Sequence, residues 1–423
     1  MIIDFTVENF RSIKDEQLFS MYAERKPKHH AGNIEFIDPD IGILKTAAIY
    51  GANASGKTNL LLAVDALREM VVESGSLKDG DAIKGYEPYL LSSSSRESDT
   101  KFEIEFIVKK TRYSYSIHYN RERISFEKLD VYRSSRPSNL FTRDEFSDPK
   151  TIKFGDSFRG GRKAHAFFRN NSYLSKAGNN PESPDFIRDI YNYFYRSVNV
   201  LENGARFGVR DWEKSSYIRN VVDAFLSKAD FGIEKFEINE IDLPEGLEKF
   251  PDSMPKPIRE EVLDRFGKER LFYHKGESGE LIEFDYKLES HGTRSLLDLI
   301  PYISMVLKHG EVLMIDEIES SLHPHIAELV IRLFNDQSVN RNGAQLIFTT
   351  HDISLMSQRL LRKDQVYLCS KTAKTGTEYS SLDQFDSSLR DSSPFSKWYN
   401  EGRFGGIPEI NYKDIANTLK NME

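Results

Sequence analysis

The chain has 423 residues, 39% of them apolar and 29% charged, with a formal net charge of -8. That balance is globular, allows one large core or two modest ones, and excludes both a disordered chain and a generally basic nucleic-acid coat. Cys369 is the single cysteine, so no intramolecular disulfide can form, and a reducing, cytoplasmic setting is expected.

The opening MIIDFTVENF places Ile3, Phe5 and Val7 on one face and Asp4, Thr6 and Glu8 on the other, which predicts a strand with one buried side. Its two acids exclude a secretory signal, and no apolar run approaches the ~20 residues that cross a bilayer. Basic residues gather in RKPKHH (Arg25–His30) and again in FRGGRKAHAFFRNN (Phe158–Asn171), which read as solvated loops or local basic patches. Apolar TAAIY runs directly into GANASGKT, after which Leu60, Val64, Leu67 and Val71 recur at helical spacing. Alternating apolar positions from Lys101 to Tyr132 predict three short antiparallel strands. Helical spacing returns between Asp185 and Lys228, through Ile187, Ile190, Tyr191 and Phe194. The proline-rich stretch Asp242–Pro257 predicts a loop.

Gly51, Gly56, Lys57 and Thr58 fit the phosphate-loop pattern G-x-x-x-x-G-K-[ST], in the strand–loop–helix context that this motif requires. Small residues let the N–H groups of Asn53, Ala54, Ser55, Gly56 and Asn59 curl around phosphate oxygens. The following helix adds the positive end of its dipole. Lys57 is expected to reach the β- and γ-phosphates of ATP, and Thr58 to place its hydroxyl on magnesium. A second site half is EVLMIDEIESSLHP, where Val312–Ile315 forms an apolar run suited to a strand buried on both faces. It ends in Asp316, a candidate magnesium ligand, and Glu317, placed to polarise an attacking water. LIFTTHD repeats the arrangement, and His351, leaving the end of its strand, is the candidate sensor of the γ-phosphate.

Asp316 stands too far beyond Lys57 for a compact domain with a short insertion. Between them LESHGTRSLLDLI holds a Ser-x-Gly-Thr turn that resembles the degenerate signature motif of ABC-type ATPases of the SMC and RecF class. The resemblance implies that Ser290, Gly292 and Thr293 of one subunit cap the nucleotide bound by another, with Arg294 adding positive charge. The chain as a whole resembles bacterial ABC-type ATPases of phage-defence and abortive-infection operons, the RloA- and AbiL-type proteins among them. In that light FTVENFRSIKD is the first strand, Arg11 a nucleotide contact, SSLHP (Ser320–Pro324) the subunit-facing D-loop, and YNEGRFGGIPEI (Tyr399–Ile410) the closing segment. One departure stands out: no glutamine occurs from Gly51 to Ser290, where this class carries a coupling glutamine. Asn170, Asn171 and Ser175 are the candidate substitutes, and turnover is expected to be slow.

The expected fold is α/β: a P-loop NTPase of ABC-ATPase type with a mostly parallel core sheet, an antiparallel β-subdomain and a helical insertion. Residues 1–132 and 286–423 would form the two parts of the ATPase head, and 133–285 the helical lobe. Three functions fit. One is an ATPase that dimerises around ATP and controls a separate effector, such as a nuclease, in antiphage defence; the chain beyond His351 is too short for an appended nuclease domain. The second is a DNA-repair or chromosome ATPase binding DNA directly, although no sustained heptad run is visible. The third is an ATP-binding scaffold with little turnover.

Overall fold

The computed structural model describes residues 1–23, 30–144, 152–201, 212–229, 232–242, 267–320, 322–372, 374–385, 389–390, 393–405 and 411–420, with isolated positions 254, 259 and 262. Most of the proline-rich stretch, residues 25–29, Ser321 and residues 406–410 of the closing segment lie outside the described residues.

Two sheets carry the molecule. The first is antiparallel and seven-stranded. It comprises β1 (Ile2–Glu8), β2 (Gln17–Ser20), β6 (Thr100–Val108), β7 (Thr111–Tyr119), β8 (Ile124–Tyr132), β9 (Pro137–Asp144) and β10 (Lys153–Phe154), in the order β10-β9-β8-β7-β6-β1-β2. A small antiparallel pair, β3 (Ile34–Asp38) and β4 (Ile41–Leu44), leads into the second sheet. That sheet has six strands: β5 (Thr46–Gly51), β11 (Val198–Leu201), β15 (Val312–Ile315), β16 (Gln345–Thr349), β17 (Val366–Thr372) and β18 (Gly376–Ser381). Its order is β11-β15-β16-β5-β17-β18, parallel throughout except for the final hairpin.

Counting helices longer than one turn, α1 (Lys57–Glu73) lies between the two sheets. Its Leu60, Val64 and Leu67 pack with Phe5, Phe102 and Tyr115 of the antiparallel sheet and with Ala47 and Ile49 of β5. Each such fully buried aliphatic side chain contributes about 1.5–3 kcal/mol. The alternate residues Ala48 and Tyr50 face a second core on the other side of β5, with Leu346 and Phe348 of β16. Burial on both faces is why these strands read as unbroken apolar runs.

The intervening lobe is not purely helical. Helices α2 (Tyr173–Gly178) and α3 (Asp185–Arg196) pack on α1, and β11 returns to the edge of the parallel sheet. Residue 133, the expected boundary, lies in the hairpin between β8 and β9, which pair in the antiparallel sheet. A third core joins α4 (Ser216–Lys228), the sheet β12 (Ile233–Glu240)–β13 (Lys268–Lys275)–β14 (Leu281–Asp285), and the front half of α5 (His291–His309). Helix α5 spans two cores: Leu296, Leu297 and Ile300 belong to the third, and Leu299, Ile303 and Val306 to the second. Helix α6 (Pro324–Asn335) completes the second core through Val330, Ile331 and Phe334. Among the described residues no helix is long and apolar enough to cross a membrane.

At the entry to β15, burial pushes the Glu311 carboxyl up from its ordinary 4.5 to about 7, against a hydrogen bond from the Asn199 amide. The folded chain therefore holds this proton longer than the unfolded chain. Stability from this group is fully present below about pH 4.5 and is lost as pH rises through about 7. Glu311→Gln is expected to flatten that dependence and to raise the melting midpoint at pH 8 by roughly 2 °C. Thermal melts at pH 5 and pH 8 check it; an equal shift at both would assign the effect to packing.

Candidate nucleotide site

Strand β5 delivers the chain at Gly51, where a Cβ would collide with the carbonyl oxygen of Cys369 on β17. At Gly56 (φ 107°) a Cβ would strike the hydroxyls of Thr377 and Ser12. Glycine is thus required twice: once for close approach of two strands, once for a left-handed turn against side chains. Ala54 is also left-handed, at φ 60°, and with Asn53 it stands exposed at the loop tip. The loop rests on β18 and the segment after β1. The Thr377 hydroxyl donates to the Ser55 carbonyl at 2.7 Å, the Tyr379 hydroxyl to that of Gly56 at 2.7 Å, and Asn59 Nδ2 to the Ser12 hydroxyl at 2.5 Å. Ser12, Thr377 and Tyr379 are functional supports that sequence reasoning missed. Only the fold brings them beside the loop, so no local pattern could have marked them.

Lys57 is buried, and its Nζ donates to the carbonyls of Gly51 (3.1 Å) and Ala52 (3.2 Å). Burial lowers its pKa, while Cys369, Glu317, Asp316 and Glu319 oppose that shift. The Thr58 hydroxyl meets both oxygens of Asp316, at 2.9 and 3.1 Å. Asp316 also accepts from the Thr349 hydroxyl at 2.7 Å, and that same hydroxyl accepts the Glu317 N–H at 2.7 Å. The turn after β15 is thereby pinned to the end of β16, with Glu317 in the left-handed region at φ 50°. A non-glycine residue there costs on the order of 1–3 kcal/mol, a strain that clusters at working sites. Glu317 Oε1 lies 3.6 Å from His351 Nε2.

Thr58 and Asp316 present a hydroxyl and a carboxylate, hard oxygen donors on one spot, which is the donor set that suits magnesium beside nucleotide phosphates. The sequence-predicted residues Gly56, Lys57, Thr58, Asp316, Glu317 and His351 therefore converge. Others stand elsewhere. Arg11 (φ 50°) is held by Glu87, with Nε 2.5 Å from Oε2, and it is the neighbouring Ser12 that reaches the loop. Ser290 caps α5, its hydroxyl accepting the Thr293 N–H at 3.1 Å. Among the described residues, no hydrogen bond of Ser290, Gly292 or Thr293 reaches the phosphate loop of the same chain.

The candidate glutamine substitutes are corrected by their contacts. Asn170 donates to the carbonyls of Lys78 and Asp81, Asn171 to those of Ser74 and Leu77, and the Ser175 hydroxyl accepts the Gly75 N–H. All three are buried and satisfied beyond the C-terminal end of α1, about 25 Å of helix from the phosphate loop. They fasten α2 to α1. Glu127 completes the clasp, accepting the N–H groups of Tyr173 (2.8 Å) and Leu174 (3.0 Å) and pairing with the fully buried Arg143 at 3.3 Å.

The strand order defines the class. The histidine strand β16 lies between the phosphate-loop strand β5 and the acidic strand β15, and the antiparallel sheet closes over α1. This is the arrangement of a P-loop ATPase domain. Within that class the chain belongs to the family described as "AAA domain, putative AbiEii toxin, Type IV TA system", which it matches over residues 47–357. Solved structures similar to it include the SMC head domain from Thermotoga maritima, at 12% identity and TM-score 0.42, covering 90% of this chain and 98% of that one. An SMC head bound to the C-terminal winged-helix domain of ScpA has 12% identity and TM-score 0.44, covering 90% and 97%. An SMC head with an extended coiled coil, bound to the C-terminal domain of ScpA derived from Pyrococcus furiosus, has 12% identity and TM-score 0.43, covering 95% and 99%. No curated protein matches.

Proposed function

We propose that the chain binds and hydrolyses Mg-ATP, that two copies close around the nucleotides, and that this cycle controls a separate effector, such as a nuclease, in an antiphage defence system. The observation that carries the ATPase reading is the convergence of Thr58, Asp316 and Thr349 with Glu317 and His351 at the phosphate loop. Lys57 holds the β- and γ-phosphates, and the N–H groups of Asn53, Ala54 and Ser55 surround them. Thr58 and Asp316 would hold magnesium, which supplies charge neutralisation when bound. Glu317 takes the proton of the attacking water, and His351 orients that water. Ser290, Gly292 and Thr293 of a second copy cap the γ-phosphate, a role supported by the exposed place of Ser290 at the N-terminus of α5, with Gly292 half-buried and Thr293 buried behind it. Arg11 would reach nucleotide only by leaving Glu87.

A defence role is in keeping with the family description, which names a putative toxin of a type IV toxin–antitoxin system. The test of the ATPase reading is phosphate release measured against protein concentration. Turnover per chain is expected to rise as dimers form; constant turnover down to a proven monomer opposes closure. A second reading, direct DNA binding, is favoured by exposed Arg159, Lys163 and Arg169 on the same stretch of chain as Phe168, which is 46% exposed. Salt-dependent retention of duplex DNA by the chain alone would support it.

A further inference from the structure

Glu319 lies two residues beyond Glu317, on the turn that leads into Ser320–Pro324. One of its oxygens, Oε1, accepts the backbone N–H of His351 at 2.5 Å. The histidine is therefore approached twice from one turn: its ring by Glu317 at 3.6 Å, its backbone by Glu319. The other Glu319 oxygen is shut off from solvent and makes no hydrogen bond. The same is true of the Tyr50 hydroxyl, on a side chain only 1% exposed, and of one oxygen of Asp352. Burial raises the Tyr50 pKa well above its ordinary value, and Asp352 and Glu319 raise it further, so both carboxylates act on the phenol.

Three buried oxygen atoms without hydrogen-bond partners thus stand at the ends of β5, β15 and β16, where buried polar atoms are normally satisfied. Glu319 is fastened to the sheet on one side only. On the other side its carbonyl accepts the Leu322 N–H at 3.3 Å, and the exposed His323 that follows Leu322 caps α6, so Glu319 is hydrogen-bonded to the segment that enters α6. A shift of that segment must carry Glu319 with it, and the His351 backbone follows Glu319.

We propose that Glu319 is a positioning residue that ties the turn at Ser320–Pro324 to His351 of its own subunit, so that a second copy seated on that turn sets the place of the histidine. The proposal rests on the reading of the site as an ATPase that closes on a second copy. Glu319 touches neither nucleotide nor water; it acts through His351.

The test uses the full chain and two substitutions. Glu319→Ala removes the acceptor for the His351 N–H, whereas Glu319→Gln keeps an oxygen in its place. Amide exchange at His351, kcat and KM for phosphate release, and the melting midpoint are measured with and without Mg-ATP. In Glu319→Ala, exchange at His351 should quicken on the order of tenfold and kcat should fall on the order of tenfold, with KM and midpoint near those of the parent chain. Mg-ATP should protect the His351 amide in the parent chain but not in Glu319→Ala, and Glu319→Gln should restore both exchange and kcat. Unchanged exchange in Glu319→Ala overturns the tie, and faster exchange with unchanged kcat overturns its role in turnover. A fall in midpoint that glutamine does not rescue would make Glu319 a packing residue only. Absence of phosphate release from the parent chain would instead sink the ATPase reading, and the exchange data would still decide the tie.

Discussion

Replacing Glu317 by glutamine is expected to stop ATP turnover while leaving the nucleotide bound. Glutamine has the same shape and can occupy the same left-handed position at φ 50°, and the backbone N–H that donates to Thr349 is untouched. What is lost is the carboxylate proposed to take a proton from water. General-base removal lowers rates by about 10²–10⁴-fold, or roughly 3–5 kcal/mol of barrier. Lys57, Thr58 and Asp316 remain, so Mg-ATP affinity should change by less than about threefold. With hydrolysis stopped, the closed form should accumulate. Phosphate release, nucleotide binding and gel filtration in Mg-ATP check the three parts together. Hydrolysis at the parent rate would remove Glu317 from the base role.

The second large effect concerns the origin of the Ser290 turn. Chains carrying Lys57→Ala and chains carrying Ser290→Ala should each be inactive alone, since every site in either homodimer lacks one half. Mixed in equal amounts, half of the dimers pair one chain of each kind. Such a dimer has one site with an intact phosphate loop opposite an intact serine. Activity should therefore return to about a quarter of the parent level if two-fold symmetric sites act independently. Failure of the mixture to recover any activity would place the Ser290 turn outside the partner's site. The mixture separates a trans contact from a folding defect, because a misfolded chain cannot complement.

Several features of the site were legible in local sequence because their physics is local. A phosphate loop needs its small residues and its helix within a few positions, so Gly51, Gly56, Lys57 and Thr58 announce it. Strands covered on both faces must be apolar along their length, which marked Val312–Ile315 and Leu346–Thr349 and hence the acids and histidine at their ends. The alternation in β1 and in β6–β8 reported a sheet with one face buried. The lobe was less legible. Strands β12 and β13 carry many charges, since only residues such as Phe236 and Phe272 reach the third core. Their pattern is therefore too diluted to separate from loop.

By itself, then, the sequence of this protein determined that a nucleotide-binding loop, an acidic strand end and a histidine strand end exist, because each is written in consecutive residues. Only the tertiary structure decided which of them meet. It set β16 between β5 and β15, joining Thr58 to Asp316 and Asp316 to Thr349. It brought Ser12, Thr377 and Tyr379 under the loop, engaged Arg11 with Glu87, and turned the candidate asparagines into a clasp at the far end of α1. Hydrogen bonds between residues hundreds of positions apart are set by strand order and register, and those emerge from packing the whole chain, where no local run of residues encodes them.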